Sequence, residues 1–267
     1  MKILVHPLTG KQYRLGRKRP RVPHGRSSFH EMLEAKVLPD VAVPGSTNYS
    51  AAAMAALSNV YCNSSVGCCV ISGGEHIRGV TSFNSGQGVI FTDAQTIRQY
   101  SAIGGYNPND PSSDEGCDEN TALAYWETNG FADGVLLDNA VTVDATNADE
   151  VRLACFLLEN LYPCGELPDA WISPLPESSG FTWDVAGDPD PENGHCVAGV
   201  DVSQDGIVID TWGMLGILTH AALAKYYVPE NNGALFVLLS PDVISRLTQK
   251  SPAGYTIDAL VEYLSQI

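Results

Sequence analysis

The chain has 267 residues, 44% of them hydrophobic, which is enough to bury one core or a single two-lobed domain. No apolar run approaches the ~18 residues of a membrane span. The N-terminal segment lacks the long apolar stretch and the cleavage site of a signal peptide, so we expect an unsecreted protein. The formal net charge of −16 disfavours nucleic-acid binding by most of the surface.

The charge is divided unevenly along the chain. Residues 1–36 carry nine Lys or Arg residues and two Glu residues, whereas residues 37–267 carry six basic and 29 acidic residues. Prolines also interrupt residues 1–45, so we predict a basic N-terminal arm without a core of its own, ordered only by docking. We expect docking onto a protein partner or a neighbouring copy in a homo-oligomer. The chain's own acidic body, a solvated free arm, and nucleic-acid binding through Arg17–Arg21 are the alternatives.

Helix signals dominate the first half of the body. Thr92 and Gln95 form a capping-box pattern, and Asn147 is followed by Glu150 at the same spacing. Residues 119–129 have helical character and end at Gly130. Gly67–Gly74 opens the first core helix and places Cys69 at its N-terminus, where the helix dipole lowers a thiol pKa.

Strand signals dominate from Tyr162 onward, and an amphipathic helix closes the chain over residues 251–267. Helices followed by strands predict an α+β body, residues 46–250, with two lobes and a cleft between them. Seven cysteines, an odd number without a C-x-x-C pair, indicate reduced thiols and no zinc site.

The late segment 194–213 predicts a β-hairpin with its turn at Asp205-Gly206. Such a hairpin would place His195 and Asp210 side by side on neighbouring strands. Together with Cys69 they would supply the thiol, imidazole and carboxylate of a nucleophilic site. The alternative is that Cys69 is an inert buried thiol and His195 a core histidine.

Three segments resemble the papain-like cysteine peptidases, especially the divergent members from bacteriophages and bacteria. They are Asn63-Ser-Ser-Val-Gly-Cys-Cys69, Gly194-His-Cys196 and Asp210-Thr-Trp-Gly213, and Gly116-Cys-Asp-Glu-Asn120 resembles a further family segment. His195 follows Cys69 by 126 residues and Asp210 follows it by 141, close to the ~130–150 typical of the family.

The resemblance implies a papain-like fold, with Cys69 on a helical lobe and His195 and Asp210 on an antiparallel β lobe. It implies a cysteine hydrolase, a peptidase or amidase, that cleaves an amide bond of a peptide or protein through a thioester acyl-enzyme. Cys69 is then the nucleophile, His195 the base and Asp210 its orienting group, while Asn63 replaces the family's oxyanion glutamine. No cofactor or metal is expected.

The same resemblance identifies a substrate groove. Glu119 and Asn120 replace the family's two glycines and Asp118 lies beside them, so we expect a narrowed, acidic groove that attracts cationic substrates. Trp212, also placed at the groove, is expected to pack over the His195–Asp210 pair and shield it from water; plain core packing is the alternative.

Two alternative functions remain open at this point. One is a structural or assembly protein of a phage particle that reuses the fold, with the arm binding its neighbours. The other is a cell-wall endopeptidase or amidase that shares the nucleophile chemistry. The corresponding locations are the cytoplasm or a phage virion.

Overall fold

The computed structural model describes residues 2–21 and 25–267; Met1 and residues 22–24, part of the predicted arm, lie outside the described residues. The helices are α1 (Phe29–Glu34), α2 (Met54–Leu57), α3 (Cys69–Asn84), α4 (Asp93–Gly104), α5 (Glu119–Asn129), α6 (Ala148–Leu158), α7 (His220–Tyr226), α8 (Pro241–Lys250) and α9 (Asp258–Leu264). The strands are β1 (Ile3–Val5), β2 (Gln12–Arg14), β3 (Asn139–Thr142), β4 (Tyr162–Glu166), β5 (Phe181–Trp183), β6 (Gly194–Cys196), β7 (Ala198–Val202), β8 (Gly206–Thr211), β9 (Met214–Thr219) and β10 (Ala234–Leu239). Over the described residues, no helix combines the length and apolarity needed to cross a bilayer.

The strands form three sheets. β1 and β2 pair as a small antiparallel hairpin. A second sheet has the order β3-β10-β4-β6 and is antiparallel throughout, and a third has the order β5-β9-β8-β7. In the third sheet only β5 and β9 run parallel. Because β6 and β7 are separated by Val197 alone, one run of chain joins the two larger sheets.

The buried apolar residues form two clusters. One surrounds α3, α4 and α5, and the other lies among the larger sheets, α6 and the arm. β10 serves both, because Phe236 and Leu238 face the first cluster and Leu235 and Val237 face the second. The predicted two-lobed α+β architecture is therefore confirmed, with the sheets shared between the lobes.

Local sequence signals match the helix ends. The Thr92 side chain accepts a hydrogen bond from the Gln95 backbone, and the Thr92 backbone N–H donates the reciprocal one to the Gln95 side chain; Asn147 caps α6. Asp118 caps α5, which ends before Gly130 as predicted. α8 has no counterpart among the predicted elements, although its buried Val243, Ile244 and Leu247 have helical spacing. The closing helix α9 is present, with Leu260 fully buried.

In the described residues the arm docks onto its own acidic body, which was the alternative to a protein partner; docking onto a neighbouring copy stays a prediction. Leu4, Tyr13, Leu15, Phe29 and Met32 are buried in the β-side cluster. These side chains supply apolar area that is lost from water only when the arm covers the body. The arm is thus part of the fold.

Ion pairs hold the arm along its length. Its cationic side chains pair with carboxylates of the acidic body, namely Lys2 with Asp169, Arg17 with Glu119, Lys18 with Glu115, Arg19 with Glu166 and Arg26 with Glu127. In four of these pairs at least one side chain is partly exposed, and such pairs contribute little to the free energy of folding. The pair between Arg17 and Glu119 differs, because both side chains are fully buried.

Candidate active site

Cys69 begins α3, the most deeply buried helix of the molecule, in which residues 69–82 are all buried. Its N-terminus packs against β6, and the backbone N–H groups of Cys196 and of Gly16 in the arm lie near the Cys69 sulfur and favour its thiolate. Burial nevertheless dominates and raises the pKa of Cys69 to about 12. The predicted low thiol pKa is therefore wrong for this arm-covered form, because desolvation exceeds the effect of the helix N-terminus.

His195 lies on β6, beside the nucleophile's end of α3. Its Nε2 is 2.9 Å from Thr211 Oγ1, whereas its Nδ1 is buried and has no hydrogen-bond partner among the described residues. Burial lowers the pKa of His195 to about 3, so the ring is neutral. The predicted pairing of His195 with Cys69 is not formed as a hydrogen bond here.

Trp212 packs against the ring of His195, with ring centroids 4.5 Å apart and an interplanar angle of 25°. It follows β8 directly and forms, with Gly213, a two-residue turn into β9. Both residues have positive φ, 53° and 78°, as a type I′ turn requires. The strained conformation of Trp212 thus positions the indole over the imidazole, which is the packing predicted for it.

Asp210 does not contact His195, which corrects the predicted triad. Its Oδ2 lies 3.2 Å from Nδ1 of His76 on α3, and His76 Nε2 is 2.8 Å from the Asn59 carbonyl oxygen. Adjacent strand residues point to opposite faces, so Thr211 faces His195 while Asp210 faces the helix. The sequence motifs did not identify Thr211 as a site residue. The alternation of side chains along β8, which places Thr211 and Asp210 on opposite faces, is the signal that could have identified it.

Asn63 also has a different role from the predicted one. Its Nδ2 donates hydrogen bonds to the carbonyl oxygens of Arg14 and Val66, both at 3.1 Å. Both amide hydrogens are thereby engaged, which leaves no donor for an oxyanion in this form. Asn63 instead fixes the arm to the turn that precedes α3.

The arm passes directly over the nucleophile. Residues Arg14–Arg19, the blocking segment, form backbone hydrogen bonds to both walls of the groove. These are Arg14 N to Asn63 O (2.9 Å), Gly16 N to Gly194 O (3.2 Å), Arg17 N to Gly194 O (3.1 Å), Cys117 N to Gly16 O (3.0 Å) and Lys18 N to Cys117 O (2.9 Å). This pattern is that of an extended peptide bound by its main chain.

The contact is so close that it requires glycine. A Cβ on Gly16 would lie 1.9 Å from the Gly67 carbonyl oxygen, and one on Gly194 would lie 2.1 Å from the Arg17 carbonyl oxygen. The blocking segment and the groove therefore fit backbone to backbone, and Cys69 is only 1% exposed.

The predicted groove residues occupy three different environments. Asp118 is the N-cap of α5 and accepts a hydrogen bond from the Thr121 backbone. Glu119 is completely buried and binds Arg17. Asn120 lines a surface cavity of ≈ 540 Å³ together with Arg26 and Glu127. Of these three residues, Glu119 is the one that forms a side-chain ion pair with the blocking segment.

One group of three potential metal ligands occurs among the described residues. A carboxylate oxygen of Glu119 and the sulfurs of Cys164 and Cys196 lie within 4.8 Å of one another. The guanidinium of Arg17 is hydrogen-bonded to both oxygens of that carboxylate. A protein cation therefore already neutralises the position. All seven cysteines of the chain are free and buried.

No protein-family model and no curated protein sequence matches the chain. Solved structures do resemble it. Xylellain, a cysteine protease from Xylella fastidiosa, has a TM-score of 0.61 at 12% identity, over 90% of this chain and 98% of that one. Procathepsin L 3 from Tenebrio molitor has a TM-score of 0.56 at 10% identity, over 85% and 76%. The cysteine protease and lectin-like domains of Cwp84 from Clostridium difficile give 0.54 at 10%, over 85% and 56%. At these identities the likeness is one of fold.

Proposed function

Because the chain has the papain-like cysteine peptidase fold, we propose that it is a cysteine hydrolase of peptide or amide bonds, held latent by its own arm. Cys69 is the nucleophile, His195 the proton acceptor and Thr211 the group that orients the imidazole. One observation carries the proposal: an extended peptide segment lies in the groove beside Cys69, with its Gly16 and Arg17 N–H groups bound to the Gly194 carbonyl oxygen of the strand that bears His195.

The chemistry follows from these positions. We assign His195 the tautomer in which Nε2–H donates to Thr211 Oγ1, which leaves Nδ1 as the base that takes the proton of Cys69. The sulfur attacks the scissile carbonyl carbon, and the protonated imidazole then transfers its proton to the leaving nitrogen as the C–N bond breaks. Water, deprotonated by the same nitrogen, hydrolyses the resulting thioester and restores the thiol.

The oxyanion site is built from the start of α3. The backbone N–H of Cys69 lies in the first turn, where intrahelical acceptors are lacking. Asn63 becomes a second donor when the arm leaves, because the N–H now bound to the Arg14 carbonyl oxygen is then released. Asn63 therefore alternates between holding the arm and stabilising the reaction.

The arm-covered form is inactive for two reasons. The blocking segment occupies the substrate's place, and burial keeps both Cys69 and His195 uncharged through opposite shifts of their pKa values. Peptide or protein substrates are favoured because the groove holds the blocking segment by its main chain. The particle-assembly alternative required an arm free to bind neighbours, and the described arm is bound in cis.

Displacing the arm tests this proposal. Arg17→Ala leaves Glu119 as a buried carboxylate without its cation, which costs about 3–5 kcal/mol and favours release of the blocking segment. We expect the variant to hydrolyse fluorescein-labelled casein and to be alkylated by iodoacetamide at Cys69 at least tenfold faster than wild type, as measured by peptide mapping. Arg17→Ala/Cys69→Ser should lose both signals.

Lys18→Ala is the matched control, because Lys18 and its partner Glu115 are both exposed and such a pair contributes little to stability. It should behave as wild type. Hydrolysis that survives Cys69→Ser, or an Arg17→Ala protein with an exposed arm and an unreactive Cys69, would contradict the assignment.

A further inference from the structure

A buried acidic pocket opens off the groove beside Cys69, and the side chain of Arg17 fills it. Arg17 Nε and Nη2 donate to the two carboxylate oxygens of Glu119 at 2.9 and 2.6 Å. The Arg17 and Glu119 side chains are 1% and 0% exposed. Cys164, Cys196 and Tyr227 are close enough to interact electrostatically with the guanidinium.

The pocket has a fixed register relative to the nucleophile. Gly16 lies on the Cys69 sulfur, and Arg17 is the next residue along the blocking segment. Gly16 and Arg17 share the Gly194 carbonyl oxygen, and Cys117 bonds the backbone on either side of Arg17. A peptide bound by the same main-chain contacts would insert one side chain, adjacent to the residue over Cys69, into the pocket.

We propose that this pocket is the primary specificity subsite of the enzyme, that it selects arginine in the substrate, and that Glu119 is the residue that determines the selection. Arg17 occupies the subsite in the latent form as a substrate arginine does after release of the arm. The inference rests on the proposed hydrolase function, and it assigns that function a substrate class: peptides with arginine next to the residue at the scissile bond.

The chemistry of the pocket favours arginine over other side chains. A planar guanidinium matches a carboxylate with two parallel hydrogen bonds, whereas the ammonium of lysine is a single point charge. Leucine would not supply the two hydrogen bonds that a guanidinium donates to the buried Glu119 carboxylate, and sites built around a buried polar group reject such ligands strongly. We therefore expect arginine to exceed leucine by about 100-fold in kcat/KM, with lysine between them.

Internally quenched peptides test the subsite in full-length Arg17→Ala. Arginine, lysine, citrulline and leucine are placed in turn at each position flanking the scissile bond. We expect a preference for arginine at one position, next to the residue at the bond. Glu119→Gln in the same background should remove it by slowing only the arginine peptide. If Glu119 merely anchors the arm, Glu119→Gln will change the cleavage rates of all peptides alike, and the inference fails.

Glu166→Gln is the matched control, because Glu166 is equally buried and binds the neighbouring Arg19. It should leave the ratio of arginine to leucine cleavage unchanged. Equal cleavage of both peptides by Arg17→Ala overturns the subsite but leaves the hydrolase proposal intact.

Binding separates the two proposals when hydrolysis is absent. In Arg17→Ala/Cys69→Ala, labelled arginine peptides should bind about 100-fold more tightly than leucine peptides by fluorescence anisotropy. If the arginine peptides bind tightly but Arg17→Ala, which retains Cys69, does not cleave them, only the hydrolase proposal is refuted. Equal binding refutes the subsite. If Arg17→Ala does not fold by circular dichroism, Arg17→Lys is the second background, because it keeps a cation beside Glu119 and loses the two-pronged contact.

Discussion

Two neighbouring residues of β8 serve two histidines in opposite ways. Asp210 faces His76, whose second ring nitrogen is bound to the Asn59 carbonyl oxygen. Thr211 faces His195, whose second ring nitrogen has no partner among the described residues. Both ring nitrogens of His76 therefore have a neighbour, whereas Nδ1 of His195, the proposed base, is left without a hydrogen-bond partner.

The ionisable partner, Asp210, therefore lies beside His76 and not beside His195, the histidine of the proposed site. Burial raises the pKa of Asp210 well above its ordinary value and lowers that of His76 to about 4, so both resist ionisation. Such a pair joins α3 to β8 and holds the helix that carries Cys69. The hydroxyl of Thr211 is neutral, yet it orients the imidazole that the chemistry requires.

The largest expected effect separates the two histidines. In the Arg17→Ala background, His195→Ala should lower kcat/KM by about 10²–10⁴-fold, because it removes the group that accepts the Cys69 proton. His76→Ala should retain most of the activity of the folded enzyme and lower its melting temperature. Peptide hydrolysis and thermal unfolding measure the two outcomes. Loss of activity in His76→Ala at unchanged melting temperature would reverse the assignment.

The second expectation concerns the two ring pKa values. Burial holds those of His195 and His76 at about 3 and about 4. Release of the arm exposes the groove side of His195, so its pKa should rise toward or above the ordinary ~6.5. His76 lies behind β8 and should keep its low value. NMR titration of the imidazole carbons in wild type and Arg17→Ala measures both, and parallel movement of the two would mean that the arm does not cover His195 selectively.

A smaller effect distinguishes the neighbours on β8. Thr211→Val preserves the shape of the side chain and removes the hydroxyl, so kcat/KM should fall about tenfold, the value of one hydrogen bond. Asp210→Asn should change kcat/KM by less than that, because the carboxylate does not touch His195. Thr211→Ser, which keeps the hydroxyl, is the matched control. A large loss in Asp210→Asn alone would restore the carboxylate to the catalytic set.

These neighbours also show how far sequence reasoning extends. Signals that act within one turn, such as the Asp118 cap before α5 and the Cys69 position at the start of α3, are encoded by adjacent residues and were predictable. The partner of His195 depends on strand parity and on the Trp212-Gly213 turn, which motif order does not contain. The path of the blocking segment depends on backbone contacts across the chain between Gly16 and Gly67. Its composition indicated only that it would dock.

The last expected effect falls on stability rather than on catalysis, and it is the pH dependence of the His76–Asp210 pair. His76 is kept neutral in the folded protein down to a pKa of about 4, whereas the unfolded chain binds the proton near ~6.5. Between these values the unfolded state holds more protons, so the contribution of His76 to stability is complete above ~6.5 and is lost as the pH falls toward 4.

The variant His76→Phe removes this titration. At pH 7 it should unfold about 1–3 kcal/mol more easily than wild type, because the Asn59 carbonyl group loses its hydrogen bond and Asp210 loses its polar contact with the ring. As the pH falls from 6.5 to 4, that difference should shrink by up to about 1.4 kcal/mol per pH unit, since only wild type must exclude the proton. Urea unfolding at each pH measures the difference. A gap that stays constant would show that His76 is protonated in the folded state, and the pair would then be a buried ion pair with an ionised Asp210.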